Sequence, residues 1–273
     1  QDRWLPDLVA GRALAAFGLT ESGSGSDASA IQTHAELVDG MWVINGSKAF
    51  ITNSGTAITS LVTITAKTGP DEVSSIIVPA DAPGFEVEPA YEKMGWHASD
   101  THGLRFDDCR VPEDHLLGTR GQGFRQFMSI LDDGRIAIAA LAVGVLQACL
   151  EETAAYAKDR TSFGQPIGSY QAVAFRIADI EVMAEAARLL TYKAAWLKDT
   201  GQAYRHAAAR AKLYATESAV SATRMATQIY GGAGFLDDTL VARHYRDAKV
   251  LEIGEGTSEI QRMVIARGLG LDV

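Results

Sequence analysis

The sequence has 273 residues, 47% of them hydrophobic, with a formal net charge of −9 and a pI of about 5.2. That length suits one large domain or two smaller ones with a real core. The acidic balance, with no stripe of Lys and Arg, excludes a binder of phosphate backbones, so no nucleic-acid partner is expected. Cys109 and Cys149 stand alone, without Cys-x-x-Cys spacing or clustered His; this argues against a disulfide frame and a metal site, and both read as small buried hydrophobes. No run reads as apolar enough to cross a bilayer, so a soluble chain without a membrane span is expected. The opening residues QDRWLPDLV hold neither an initiator Met nor a signal-peptide pattern, and read as a cut inside a longer protein.

In chain order, the first 118 residues alternate short β-rich runs with turn signals: ALAAFGLT, HAELVDG, MWVING, SKAFITNSG, SLVTITAKTG, VSSIIVP, GFEVEP and GLRFDDCRVP. The β-branched and aromatic content, punctuated by Asp-Gly, Asn-Gly and Pro-Gly, predicts a compact, mostly antiparallel β-domain over residues 1–118. From residue 119 the pattern changes to helical spacing, as at Phe124, Phe127, Leu131, Ile138, Leu141 and Val145. The spacing predicts one helix running to about Arg160, where Pro166 in the following turn prevents continuation. Further helices are expected over about Gln171–Lys198, Ala203–Ile229, Leu240–Lys249 and Thr257–Leu269. Long amphipathic helices with short joints describe an antiparallel bundle over residues 119–273, so the fold class is α+β.

Several stretches hold candidate chemistry. Thr20–Asp27, TESGSGSD, can turn N–H and hydroxyl groups toward a phosphate, and equally reads as a flexible surface loop. It is neither a dinucleotide fingerprint nor a P-loop. Phe50-Ile51-Thr52 ends a strand, where an aromatic ring can stack on a planar group or simply join the core. Asp132 and Arg135 share a helical face and read as a surface ion pair, beside Gly134, which costs about 1 kcal/mol against Ala in a helix and hints at a close approach. Arg160 can cap carbonyls or reach a phosphate, and Gln228–Gly234 is a Gly-rich helix stop. In Leu251–Arg262, LEIGEGTSEIQR, Glu255 stands between Gly254 and Gly256 just before the last helix. It reads as a helix cap or as a general base presented on a free-bending turn.

Taken together, FGLTESGSGSD, FITNSG, FDDCRVP, LDDGR, DRTSFGQPIGSYQA, QIYGGAGF, HYRDAK and EGTSEIQR resemble the acyl-CoA dehydrogenase family, and its short-chain branch in particular. The matching pieces span nearly the whole chain. The resemblance implies the middle β-domain and the C-terminal helical domain of a longer enzyme, whose N-terminal helical domain precedes this sequence. It also implies FAD as cofactor, an acyl-CoA substrate, electron-transferring flavoprotein as partner and a homotetramer. The location implied is the cytoplasm of a bacterium or the mitochondrial matrix of a eukaryote.

The same resemblance assigns residues. Glu255 matches the base that removes the proton next to the thioester carbonyl, and Gly256 offers a neighbouring backbone N–H to that carbonyl. Phe17, Leu19, Thr20, Gly25 and Ser26 match the FAD loop, with Ser26 also near substrate. Phe50, Ile51 and Thr52 match the segment beside the flavin ring. Arg160, Ser162 and Phe163 match a segment that reaches the FAD of a neighbouring subunit. Gln171, Gln228, Gly231, Gly232, Thr257 and Glu259 match further FAD contacts, Glu259 standing where some members carry Gln. Asp132 and Arg135 match groups near coenzyme A, and Gly254 stands where many relatives carry an aromatic residue. The implied product is a trans-2-enoyl-CoA. The alternatives on the same scaffold are an oxygen-using flavoenzyme, either an acyl-CoA oxidase or a nitroalkane oxidase, and a non-catalytic subunit.

Overall fold

The computed structural model describes residues 2–273 and divides into two compact units. The first holds residues up to Lys93 together with His97–Ser129; the second holds Met94–Trp96 and Ile130–Val273. After a short helix α1 (Leu5–Val9), the first unit is built from β1 (Leu14–Gly18), β2 (His34–Val38), β3 (Met41–Thr52), β4 (Thr59–Gly69), β5 (Glu72–Pro79), β6 (Phe85–Ala90) and β7 (Thr101–Pro112). They form one seven-stranded sheet in the order β1-β4-β2-β3-β7-β6, with β5 also paired to β4. The β2/β3, β3/β7, β4/β5 and β6/β7 ladders are antiparallel, whereas β1 runs parallel to β4. Alternating side chains such as Trp42, Ile44, Val62, Ile64, Ile76, Val78, Leu104 and Phe106 supply its core.

One expected break in this unit is absent. Asn45-Gly46 reads as a turn between two runs, yet both runs belong to the single strand β3. The pair forms a bulge there, marked by a register shift against β7 between Ile44 and Gly46. Asn45 is held across the ladder: its side chain donates to Asp108 Oδ1 at 3.0 Å and accepts from Asp108 N at 2.9 Å. Gly46 has φ 143°, and an added Cβ would lie 2.5 Å from Thr33 Oγ1, so only glycine fits. A second shift falls between Lys48 and Ile51, and it leaves Lys48 buried and Phe50 facing outward.

The second unit is helical. Helix α2 (Gly123–Asp159) starts within the first unit and is followed by the two-residue strands β8 (Thr161–Ser162) and β9 (Gln165–Pro166). Then come α3 (Gln171–Asp199), α4 (Arg205–Tyr230), α5 (Leu240–Ala248) and α6 (Ser258–Gly268), all within a few residues of the predicted ends. Ala139, Ala142 and Leu146 of α2, Ala184 and Ala187 of α3, and Ala208, Ala215 and Ala222 of α4 share its core. Small side chains let helix backbones approach closely, and the short joint between α3 and α4 makes them antiparallel neighbours. Both cysteines are buried, and burial pushes the thiols up to about 11 for Cys109 and about 12 for Cys149. The expectation that nothing is apolar enough to cross a membrane is corrected: α2 is long enough and reaches a mean hydropathy of 1.6. Its apolarity centres on IAIAALAVGVL, residues 136–146, from which Ala139, Ala142, Val143 and Leu146 pack into the helical core.

A buried ion pair ties the Thr20–Asp27 loop to β3. Lys48 Nζ donates to Glu21 Oε1 at 2.8 Å, Leu19 O at 3.2 Å and Thr65 Oγ1 at 3.2 Å. Glu21 also accepts from the amides of Gln32 at 2.6 Å and Thr33 at 3.1 Å. Burial alone would push the Glu21 carboxyl up, but Lys48 and the surrounding donors outweigh it and hold the carboxyl below its usual range. Lys48→Met strands a buried carboxylate and is expected to cost about 3–5 kcal/mol in urea unfolding. Lys48→Met with Glu21→Leu should recover much of that loss. Because Glu21 titrates low, its contribution persists above the ordinary carboxylate range and is lost as pH falls through its depressed value.

Candidate functional site

The last helix is preceded by two consecutive left-handed residues, Glu255 at φ 55° and Gly256 at φ 88°. Glycine takes this conformation freely, but a side chain there costs about 1–2 kcal/mol. The cap of α6 is Thr257, whose Oγ1 accepts from Ile260 N at 3.4 Å. Glu255 is therefore not the cap, and its carboxylate is free to turn away from the helix. The turn is anchored by its carbonyls. Gly256 O accepts from Lys212 Nζ at 2.6 Å and from Gln261 Nε2 at 2.7 Å, and Gln261 Nε2 also reaches Glu255 O at 3.4 Å.

The Glu255 carboxylate lies against Gly134 of α2, where an added Cβ would come within 2.4 Å of Glu255 Oε2. This accounts for a glycine inside a long helix. Arg135, only 5% exposed, binds Asp132 Oδ1, while its buried Nε has no hydrogen-bond partner. The surface ion pair expected from the spacing is thus largely buried. Arg205 Nε lies 3.7 Å from Asp132, and Asp133 is held by Tyr204 OH at 2.6 Å and Lys198 at 3.0 Å. Burial pushes the Glu255 carboxyl above its usual range, opposed by the charges of Lys212 and Arg135. Burial, together with Arg135, pulls the Lys212 ammonium down to about 8. The result is a partly desolvated carboxylate of raised basicity, an arrangement suited to taking a proton.

The other candidates form separate corners. In the first unit Thr20 O accepts from Ala49 N at 2.8 Å, which sets the loop beside the strand segment that carries Phe50. Ser26 is exposed, and the Gly25 backbone is open, with no atom within 4 Å of an added Cβ. Phe50 is 64% exposed at φ 62°, and Thr52 is exposed. Leu19 and Ile51 are instead core residues, and their carbonyls already accept from Lys48 Nζ and Ser54 Oγ. Phe17 stacks on Phe127 at 4.6 Å. These three side chains are spoken for by the fold.

In the second unit Ser162-Phe163-Gly164-Gln165 forms a two-residue hairpin with φ 50° at Phe163 and 83° at Gly164. Such turns usually carry Asn-Gly or Gly-Gly. A fully exposed phenylalanine in the strained position is held out by the backbone rather than buried, with 97% of its surface in solvent. Tyr170 OH donates to Ser162 O at 2.8 Å, bringing Gln171 at the start of α3 to the same corner as exposed Arg160. Gln228 and Gly231 close α4, with Gly231 N donating to Gln228 O, and Gly231 and Gly232 leave their backbone open. The Tyr156 and Tyr230 rings stack at 4.0 Å and join this corner to α2. Glu259 is exposed, and its carboxyl is held below its usual range by its own backbone amide and the Thr257 hydroxyl.

Lys212 and Gln261 are the parts of the site that sequence reasoning missed. Lys212 falls on the buried stripe of α4 with Ala208, Ala215 and Ala219. A lone lysine in an alanine stripe is a readable signal; its partner 44 residues away is not.

The chain is similar to known proteins. The middle domain of acyl-CoA dehydrogenase matches residues 16–109, and the C-terminal domain of acyl-CoA dehydrogenase matches residues 121–270. "Probable acyl-CoA dehydrogenase YngJ" of Bacillus subtilis is 49% identical over 268 residues, covering 97% of this chain and 70% of that protein. The mitochondrial short-chain specific acyl-CoA dehydrogenase of Bos taurus is 43% identical over 270 residues, covering 97% of this chain and 65% of its own length. The structure of butyryl-CoA dehydrogenase from Megasphaera elsdenii superposes with a TM-score of 0.95 at 41% identity, covering 99% of this chain and 71% of that one. The chain thus spans about two thirds of the length of these proteins.

A stability measurement probes the Glu255 environment directly. A carboxyl raised by burial favours its protonated form in the native state, so its contribution to stability is full at low pH. That contribution is lost as pH rises through the ordinary carboxylate range to the raised value. Glu255→Gln keeps the shape and never charges. It is expected to match the parent in acid and to unfold at a higher temperature at neutral pH; a variant no more stable at neutral pH contradicts the assignment.

Proposed function

The chain belongs to the acyl-CoA dehydrogenase family, and on that premise we propose that Glu255 is the base that takes the proton next to the thioester carbonyl of an acyl-CoA. The observation that carries this reading is the desolvated Glu255 carboxylate, held at a left-handed turn against a helical glycine. The α C–H bond breaks, its proton passes to Glu255, and its electron pair becomes the new C=C bond as the β-hydrogen leaves with its pair. FAD, when bound, accepts that hydride. The Gly256 N–H, unshielded by a side chain, donates to the thioester oxygen as charge develops there. In this reading Asp132 and Arg135 hold the coenzyme A portion, and Ser26 also contacts the substrate.

The donor set fits FAD. Hydroxyls of Thr20 and Ser26 with the open backbone at Gly25 suit a diphosphate, and the Phe50 and Thr52 edge suits the ring system. Arg160, Ser162, Phe163, Gln171, Gln228, Gly231, Gly232, Thr257 and Glu259 supply further contacts in this reading. Leu19, Ile51 and Phe17 act by shaping the loop and strand beneath. The product is a trans-2-enoyl-CoA, and the electrons go on to an electron-transferring flavoprotein. A short acyl chain is the proposed substrate, after the relatives of that name. Gly254, where an added Cβ would meet only Val250 O at 3.6 Å, leaves room beside the base.

Glu255→Gln should retain FAD and acyl-CoA binding and lower the rate of enoyl-CoA formation by about 10²–10⁴, the range for a positioned general base. Stopped-flow loss of flavin absorbance reads the step, and parent-like loss in the variant removes Glu255 from this role. Hydrogen peroxide formed without another acceptor would assign the electrons to dioxygen and so favour the oxidase reading.

A homotetramer is the proposed assembly. Phe175, Val182, Leu189 and Trp196 recur every seven residues on α3 and are exposed, with Tyr192 beside them. A contiguous apolar stripe of this kind marks an interface. Leu189→Arg with Trp196→Arg is expected to lower the mass seen by light scattering; a parent monomer saturated with FAD contradicts the proposal.

A further inference from the structure

Helix α4 turns Ala208, Ala211, Ala215, Ala219 and Ala222 into the core, and Lys212 lies on the same buried face with no exposed surface. A buried ammonium is costly unless it is bound. The acceptor of Lys212 Nζ is Gly256 O, at 2.6 Å. Gln261 Nε2 reaches the same oxygen at 2.7 Å, so both lone pairs of that carbonyl are engaged from two helices. Gly256 has little freedom: its φ is 88°, and an added Cβ would stand 2.9 Å from Gln261 Nε2.

We infer that Lys212 and Gln261 are positioning residues that clamp the Gly256 carbonyl, lock the Glu255–Gly256 turn in its left-handed form and thereby aim the Glu255 carboxylate past Gly134. Lys212 adds what Gln261 does not, a positive charge beside the carboxylate. The groups facing Glu255 are Lys212 from α4 and Arg135 from α2; those facing Lys212 are Arg135, Glu255, Glu252 and Glu259. Lys212 therefore tempers the rise in Glu255 basicity that burial causes, and it stays charged at neutral pH.

This inference rests on Glu255 being the base, and two variants separate the two readings. Amide hydrogen exchange across Gly254–Ser258, read in the FAD-loaded enzyme without substrate, reports the clamp whatever Glu255 does. Lys212→Met and Gln261→Met are each expected to speed exchange there about tenfold, with the rest of α4 and α6 unchanged. Difference infrared titration against Glu255→Gln reports the carboxyl itself. Lys212→Met should move its titration to higher pH, and Gln261→Met should leave it in place. Both variants should lower kcat by about 10–10², with KM for acyl-CoA near that of the parent, as expected for a base misplaced by about 1 Å. Parent-like exchange in both variants overturns the clamp, and an unmoved titration in Lys212→Met overturns the charge role. If Lys212→Met does not fold, Gln261→Met still decides the clamp and a Lys212→Gln variant decides the charge. A fully active Glu255→Gln would instead remove the base reading, leaving the exchange results to judge the clamp alone.

Discussion

The Glu255–Gly256 turn is anchored at one carbonyl. Gly256 O is bound at once by a lysine from α4 and a glutamine from α6, and the peptide so held places Glu255 at a positive φ. An acid in the left-handed region costs about 1–2 kcal/mol, which the surroundings must offset. Here they do so from the carbonyl side, which leaves the side chain and the Gly256 N–H free for chemistry. The opposing surface has been emptied to match: Gly134 gives up helix propensity so that the carboxylate can occupy its flank.

The same trade recurs elsewhere. Of the non-glycine residues with positive φ, Phe50, Phe163 and Glu255 are all candidate site residues, and both aromatic rings are exposed. Stability is supplied where strain is not needed, in the alanine-lined helical core and in the buried Glu21–Lys48 pair that anchors the glycine-rich loop to β3. Rigid support under an exposed, polar loop is what a cofactor site requires.

Much of this was legible in the sequence, for physical reasons. The change from period-two runs to helical spacing marks the α+β division, and Pro166, Gly201 and Gly231 mark helix ends because each breaks backbone regularity. Glu255 and Gly134 stood out because glycine in or beside a helix needs a reason. Other features were hidden. Asn45-Gly46 reads as a turn, yet cross-strand bonds to Asp108 make it a bulge inside β3. The Ser162–Gln165 hairpin is too short for any periodic signal, and the most apolar run of α2, residues 136–146, is by itself shorter than a bilayer span. Leu19 and Ile51 have loop-like neighbours but buried side chains, a distinction that only packing reveals. Lys212 and Gln261 meet Gly256 through tertiary contact, which no local pattern encodes.

The central claim is that Glu255 takes an α-proton, and proton exchange tests it apart from electron transfer. An acyl-CoA thioester carrying sulfur in place of the β-carbon has an acidic α C–H and no β C–H to give up. Its α-position, followed by NMR in deuterated water with the FAD-loaded enzyme, should exchange rapidly with the parent and at the uncatalysed rate with Glu255→Gln. Equal enzymatic exchange in both proteins would contradict the assignment of Glu255 as the base.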